Sequence, residues 1–223
     1  PREKLWPTQP FVTRPEPFEQ QGMSEDDLID FTPALRAEAL KTARRYRMGP
    51  IFTPPSLAKN ADGTAGSWMV PSSNGGANIP GGAAVDPETG WIYVASQHSY
   101  EVIALVPAQE KYPDGKPWPG WGSPDGKITS LYVSTSVGAR GPSGGPDNRA
   151  LPLVKPPYSR ISAIDLTTGE IRWQVPHGAT PDLVRNHPAL KGLDLPPTGR
   201  PGNNVGTLVT KTLLIAGEGN YGP

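Results

Sequence analysis

Apolar residues in this chain occur in short runs that are bounded by glycine, proline and other turn residues. Such runs, rich in β-branched and aromatic residues, are typical of β-strands. Two of them contain an internal turn, and each of these predicts a strand–turn–strand unit. The predicted strand segments are residues 90–96, 101–106, 127–137, 160–175 and 205–219, of which the last two are the units with a turn.

One segment has helical spacing instead. Its apolar positions recur every three or four residues, which places them on one face of a helix. Thr32 followed by Pro33 suits an N-cap and a first helical position, while Gly49 and Pro50 end the pattern. We therefore predict a helix over residues 33–47, packed outside the sheets. Its apolar face consists of Leu35, Ala39, Ala43 and Tyr46.

The most informative unit runs over residues 163–173. Asp165 and Gly169 shape the turn between its strands, since glycine has the backbone freedom that a tight turn requires. Trp173 then presents a broad ring that can pack on a neighbouring sheet. A weaker unit with the same Asp-x-x-Thr-Gly turn covers residues 83–95. Repetition of this kind indicates a β-propeller, whose blades are four-stranded sheets, although two units do not establish it.

Composition removes several classes of function. Lys and Arg total 21 and Asp and Glu total 21, with no basic stripe, so nucleic acid is not a predicted partner. The absence of cysteine excludes disulfides, thiolate metal sites and cysteine nucleophiles from this chain. Gly 26 and Pro 29 approach the level typical of disorder, but six Trp and the apolar runs favour a folded protein.

The chain divides into two predicted regions. Residues 1–64 form an extended, proline-rich arm and the helix, which pack on the remainder. Residues 65–223 form propeller blades that are incomplete at both ends. Loops at residues 107–126 and 138–158 interrupt the strands, and loops of that length usually have a function or cover part of the fold.

Six blocks of this sequence resemble the quinoprotein glucose and alcohol dehydrogenases that depend on pyrroloquinoline quinone (PQQ). They are LWPTQPF, EDDLIDFTPALRAEAL, RYRMGPIFTPPSL, GGANIPGGAAVDPETGWIYVAS, SRISAIDLTTGEIRWQVPHG and NNVGTLVTKTLLIAGEG. The blocks cover nearly the whole chain in the order of that family. The spacing of Ala163, Gly169 and Trp173 is that of the family's tryptophan-docking motif.

The resemblance implies an eight-bladed propeller with PQQ on its axis beside a divalent cation, usually Ca²⁺. It implies oxidation of an alcohol or sugar hydroxyl, glucose being the type substrate, and transfer of electrons to membrane quinone or a cytochrome. The family's usual location is the periplasm, and association with the inner membrane is left open.

Eight blades of roughly forty to fifty residues require far more than this chain. We therefore expect an internal fragment of two to three blades, inactive alone. The family's catalytic Asp and metal ligands are expected outside it, so no catalytic or metal-binding residue is predicted here.

Asn78 is the first candidate for cofactor contact. It lies in GGANIPGG, where the family usually has Gly-x-Asn-Trp-x-Gly, with the Asn reaching the cofactor. An amide both donates and accepts hydrogen bonds, as a planar quinone with carboxylates requires. The alternative is an Asn that only closes a glycine-rich turn. Ile79 replaces the common Trp, which leaves any aromatic contact at that position open.

The second candidate segment has Asn203 and Asn204 where the family has Asn-x-Gly-Gly near the propeller axis. The resemblance implies that Asn204, Val205 and Gly206 approach the cofactor, and the alternative is a tight turn. For six further polar side chains, a structural or exposed position is the preferred interpretation, and a catalytic or metal-binding role is not. They are His98, His177, His187, Glu218, Asp86 and Asp165.

Two other functions are compatible with these residues. A propeller can be a non-catalytic binding scaffold, because fold does not determine function. A pseudo-enzyme that has lost PQQ is also compatible, given Ile79. The Asn78 motif favours the quinoprotein, since a scaffold has no need of it.

Overall fold

Strands form most of the regular structure. The computed structural model describes residue 8 and residues 10–72, 75–77, 81–107, 128–133, 151–200 and 205–217. Each predicted strand segment contains at least one strand, so the all-β prediction is confirmed. The strands are β1 (Gly22–Met23), β2 (Gly49–Pro50), β3 (Ser56–Leu57), β4 (Ser67–Met69), β5 (Ala83–Asp86), β6 (Trp91–Gln97), β7 (Glu101–Pro107), β8 (Ile128–Val133), β9 (Ser159–Asp165), β10 (Glu170–Pro176), β11 (Thr207–Val209) and β12 (Leu214–Ala216).

Four of these strands form one antiparallel sheet in the order β5-β6-β9-β10, which is the blade unit of a propeller. The two Asp-x-x-Thr-Gly turns join its outer pairs. Asp86 accepts hydrogen bonds from Glu88 N and Thr89 Oγ1 at 2.9 and 2.7 Å, and Asp165 accepts from Thr167 N at 2.8 Å. These aspartates therefore stabilise turns, as the sequence predicts.

Sixty-one residues, 98–158, separate β6 from β9 in the sequence, and we call this segment the excursion. The described part of this excursion contributes β7 and β8 to a second sheet, in which β7 pairs antiparallel with β4 and β8. The short strand β3 lies parallel to β7. Strands β11 and β12 form a third, antiparallel sheet that begins beside β5.

The largest hydrophobic core lies between the helix and the excursion. The helix α1 (Pro33–Ala43) buries Leu35, Ala39 and Ala43, and Tyr46 beyond it is also buried, so the predicted apolar face is confirmed. Trp68 of β4 packs edge-on against Tyr46 with ring centroids 5.3 Å apart, and its Nε1 donates to the Ala43 carbonyl at 3.0 Å.

Helix α1 ends at Ala43, four residues before the predicted end, so that boundary was wrong. The backbone beyond it is taken up by sheet-type pairing. Ala65 N donates to the Arg45 carbonyl and Trp68 N donates to the Arg47 carbonyl, each at 2.9 Å. These tertiary hydrogen bonds replace the helical ones that the periodicity predicted.

The short elements are α2 (Asp182–Arg185) and two 3₁₀ turns, Glu25–Asp27 and Pro188–Leu190. Among the described residues, none of the helices has the length and apolar content that spanning a bilayer requires.

The cap of α1 gives a first prediction. Thr32 Oγ1 accepts a hydrogen bond from Leu35 N at 3.2 Å. Thr32→Ala removes this acceptor and is expected to lower the stability of the helix start by about 1 kcal/mol. This loss corresponds to amide exchange about fivefold faster in the first helical turn. Hydrogen exchange with mass spectrometry on the full-length protein measures this. Thr42→Ala, inside the same helix, is the control and is expected to leave exchange unchanged or slower. Equal rates in Thr32→Ala and the parent protein would contradict the cap.

Candidate functional site

The first and third sheets meet backbone to backbone at the start of their first strands. A Cβ added to Gly81 would overlap the Val205 carbonyl oxygen and come within 3.1 Å of the Val205 carbonyl carbon. Only glycine allows the chain before β5 to lie this close to the chain before β11. We call this contact the blade junction.

Beyond the contact, the blade junction presents polar groups. Val205 is buried, whereas Gly206 is exposed and a Cβ added to it meets no atom within 4 Å, so this glycine is open on its side-chain side, while its carbonyl accepts a hydrogen bond from Gly217 N at 3.1 Å. Thr207 Oγ1 is buried and has no hydrogen-bond partner among the described residues. An open glycine backbone and an unpaired hydroxyl suit a flat, polar group that is held by hydrogen bonds.

Asn78, Ile79, Asn203, Asn204 and Glu218 lie outside the described residues, so their roles stay predictions. Gly81 follows Asn78 by three positions in sequence, and Val205 follows Asn204 directly. The blade junction therefore lies close in sequence to both predicted cofactor segments. The glycines around Asn78, Gly81 among them, predict a close backbone approach, but sequence reasoning missed that Val205 is the partner of Gly81 and that Thr207 has a buried, unpaired hydroxyl.

Trp173 connects the blade junction to the rest of the sheet. Ala163 pairs directly with Tyr93 on one side and with Trp173 on the other, which puts the three side chains in one row on one face. The small Ala163 lets the two rings approach to 5.9 Å between centroids. The cluster on this face includes residues of the third sheet, so Trp173 packs between two sheets as the docking motif implies. Its members are Ala95, Ile161, Val205, Trp173, Leu214 and Ala216.

The opposite face of the same sheet is covered by the N-terminal arm. Gln174 Nε2 donates to the Phe18 carbonyl at 2.9 Å. Glu19, buried at 7% exposure, accepts from Ser96 Oγ at 2.8 Å and pairs with Arg160 Nη2 at 3.3 Å. Removing one partner of such a buried pair typically costs about 3–5 kcal/mol. Nothing in the sequence around Glu19 indicated this role, because the proline-rich arm has no periodic pattern.

His98 lies beside this ion pair. It is buried, and neither ring nitrogen has a well-formed hydrogen bond among the described residues. Burial lowers the pKa of His98 below its usual value, while the Glu19 carboxylate opposes that shift and Arg160 adds to it. His98 is therefore neutral near pH 7, which fits the preferred structural interpretation.

The other candidates do not form a metal site. His187 is buried and its Nδ1 accepts a hydrogen bond from Ala189 N at 3.2 Å, while His177 makes backbone contacts with Ser159 at the end of β10. The Arg172 guanidinium beside Asp165 lowers the pKa of that carboxyl. In the described part of the chain, no group of three His, Asp or Glu side chains is placed to hold a metal ion. A divalent cation therefore does not fit the described residues.

Comparison with known proteins identifies relatives over nearly the whole chain. The sequence model of the family described as "PQQ: Glucose/ethanol/alcohol dehydrogenase, beta-propeller domain" matches residues 1–221. A probable quinate dehydrogenase (quinone) of Xanthomonas campestris pv. juglandis is 29% identical over 98% of this chain and 26% of the relative. A quinate/shikimate dehydrogenase (quinone) of Acinetobacter baylyi is 28% identical over 82% of this chain and 21% of the relative. The chain thus spans about a quarter of these curated relatives, and no solved structure matches significantly.

The blade junction gives a second prediction, which compares Gly81, inside the contact, with Gly206, next to it in sequence. Gly81→Ala forces its Cβ into the Val205 carbonyl and is expected to destabilise the junction by about 1–3 kcal/mol. Gly206→Ala meets no atom and is expected to change local stability by less than about 0.5 kcal/mol. Amide exchange in peptides that cover β5 and β11 measures both. Equal protection in the two variants would contradict the close contact.

The environment of His98 gives a third prediction. Because its folded pKa lies below the unfolded value of about 6.5, its contribution to stability is complete above that pH and is lost as pH falls through the folded pKa. Lowering the pH from about 7.5 to about 5.5 is expected to speed amide exchange in the arm, corrected for intrinsic rates. His98→Gln should reduce this response, and His187→Gln, in the β10–β11 connection, should retain it. An unchanged response in His98→Gln would contradict the assignment.

Proposed function

This chain belongs to the β-propeller domain family of PQQ-dependent glucose, ethanol and alcohol dehydrogenases, and on that basis we propose that it forms part of a PQQ-dependent dehydrogenase. The whole enzyme would convert a CH–OH group of a small substrate into a carbonyl. The observation that carries the proposal is the blade junction. There the two chain segments adjacent to the predicted cofactor contacts meet, with an open glycine backbone and an unpaired buried hydroxyl beside them.

The residues of this chain proposed to hold PQQ are Asn78, Asn204, Val205 and Gly206, with Thr207 added by the structure. When bound, PQQ supplies the two-electron redox chemistry, while the protein orients it and sets its electrostatics. The Thr207 hydroxyl and the Asn amides would donate hydrogen bonds to its carbonyl and carboxylate oxygens. Gly206 would let the backbone approach the ring without steric hindrance.

A divalent cation, with Ca²⁺ proposed from the family, would be held by residues outside the described part of the chain. We assign no step to it, because the described residues contain no ligand set. The catalytic base is likewise proposed to lie elsewhere in the full-length protein.

The substrate class has two candidates. The family includes glucose dehydrogenases, which favours a sugar or simple alcohol. The two relatives that match 98% and 82% of this chain are named as quinate and quinate/shikimate dehydrogenases. Their names favour a hydroxy acid as the substrate, with oxidation at a ring hydroxyl. Both relatives are described as quinone-dependent, so we propose quinone as the electron acceptor, with a cytochrome as the alternative. The proposed location is the periplasm.

The sharpest test is cofactor binding by two asparagine variants of the full-length protein. Asn78→Ala is expected to weaken PQQ binding about tenfold or more while leaving thermal stability nearly unchanged, because a buried polar edge loses its partner. Asn60→Ala is the control. Asn60 Nδ2 donates to the Leu57 carbonyl and to the Thr64 carbonyl at 2.8 and 3.0 Å. This variant should lower stability and leave PQQ affinity intact.

Titration of the apoprotein with PQQ, well below all unfolding midpoints, separates the alternatives. Unchanged affinity in Asn78→Ala with a lowered midpoint would assign Asn78 to a turn. Failure of the parent protein to bind PQQ would favour the non-catalytic scaffold or the pseudo-enzyme.

A further inference from the structure

A separate cavity lies in the connection between β10 and β11. It has a volume of about 640 Å³, within the range of about 300–1,000 Å³ that small-molecule sites occupy. Its lining comes from residues 180–195, and the blade junction and the Trp173 cluster contribute nothing to it. It therefore belongs to neither site described above.

The polar lining of this cavity combines two cationic side chains with Thr180, Asn186 and His187. Arg185 and Lys191 both line it. One NH₂ group of Arg185 donates to the Thr180 carbonyl at 3.0 Å, and the other forms an exposed ion pair with Asp182 at 3.4 Å. Arg185 has five N–H donors, so some of them remain available to a ligand. Lys191 has no ion-pair partner among the described residues.

His187 is a neutral, buried part of the cavity wall. It lines the cavity and is 3% exposed. Its Nδ1 accepts the Ala189 N–H, so the neutral ring carries its proton on Nε2. That Nε2 is buried and has no hydrogen-bond partner within the described residues. Burial also lowers the pKa of His187, which keeps the ring in this neutral, single-donor form. Because Nε2 has almost no exposed surface, His187 shapes the wall of the cavity and the ligand contacts fall to the exposed side chains.

The rest of the lining consists of Gly192 and an apolar part, from Pro188, Leu190, Leu193 and Leu195. A ligand that matches both parts has an anionic end for Arg185 and Lys191 and a hydrocarbon body for the leucines. Inorganic phosphate matches only the first part, and a neutral alcohol matches only the second.

From these features we propose that the cavity in the β10–β11 connection binds a small carboxylic acid with a hydrocarbon body, through Arg185 and Lys191. This site is distinct from the proposed cofactor site and does not depend on PQQ. It also lies at a defined place in the fold, because β5 and β9 begin, and β6 and β10 end, at the same edge of their sheet. The connection that carries the cavity thus leaves from the edge at which the blade junction lies.

The test is calorimetric titration of the full-length protein without PQQ, so that its result is independent of the proposed function. Cyclohexanecarboxylate is expected to bind saturably at one site. Cyclohexylmethanol, similar in shape but neutral, and inorganic phosphate, which lacks the hydrocarbon body, are each expected to bind at least tenfold more weakly. Arg185→Gln and Lys191→Gln should each weaken cyclohexanecarboxylate about threefold to fivefold.

The variants are chosen so that folding does not obscure the result. Arg185 and Lys191 are exposed, whereas replacing the buried His187 risks the local fold. Arg44→Gln removes a cation that is paired with Glu25 away from the cavity and is expected to leave binding unchanged. Equal weakening by Arg44→Gln, equal binding of the alcohol or of phosphate, or no effect of either cavity variant would each overturn the proposal.

Discussion

The contact between Gly81 and the Val205 carbonyl sets the distance on which the arrangement of the first and third sheets depends. Two backbones in contact at one edge leave space between the sheets that the cluster around Trp173 fills. Val205 is both part of that contact and a member of the cluster around Trp173. Gly81 and Trp173 therefore both contribute, through Val205, to the packing of the first sheet against the third.

The two faces of the four-stranded sheet have different partners. Alternation along β9 sends Ile161 and Ala163 toward the third sheet and sends Arg160 and Ser162 toward the arm. The first face is apolar. The second combines buried apolar residues, Val94 and Ile164, with the Glu19–Arg160 ion pair, so specific polar contacts help to attach the arm there.

Most of the local structure could be predicted from the sequence, but few of the long-range polar contacts could. Apolar runs predicted the strands because each needs only its own residues to be recognised, and Thr32 and Pro33 located the start of α1 for the same reason. The end of α1 was misplaced because Arg45 and Arg47 pair with residues around β4, twenty positions further on. Ser96 and Glu19 are 77 positions apart, so no local pattern could connect them. For the candidate site, the family resemblance was enough to predict Val205 and Gly206. The contact of Gly81 with Val205 and the buried hydroxyl of Thr207 could be found only in the folded structure.

The excursion of residues 98–158 has a consequence for how the chain acquires its structure. Strand β9 is the neighbour of β6 in the sheet, yet sixty-one residues are made between them. At a synthesis rate of about 5–20 residues per second, β6 waits roughly 3–12 s with one edge unpaired. During that interval its backbone groups are open to pairing with other chains. Helix α1 and strand β4 precede the excursion, so the packing partners of the second sheet are already made when β7 is synthesised. Early formation of the second sheet would bring β9 back beside β6.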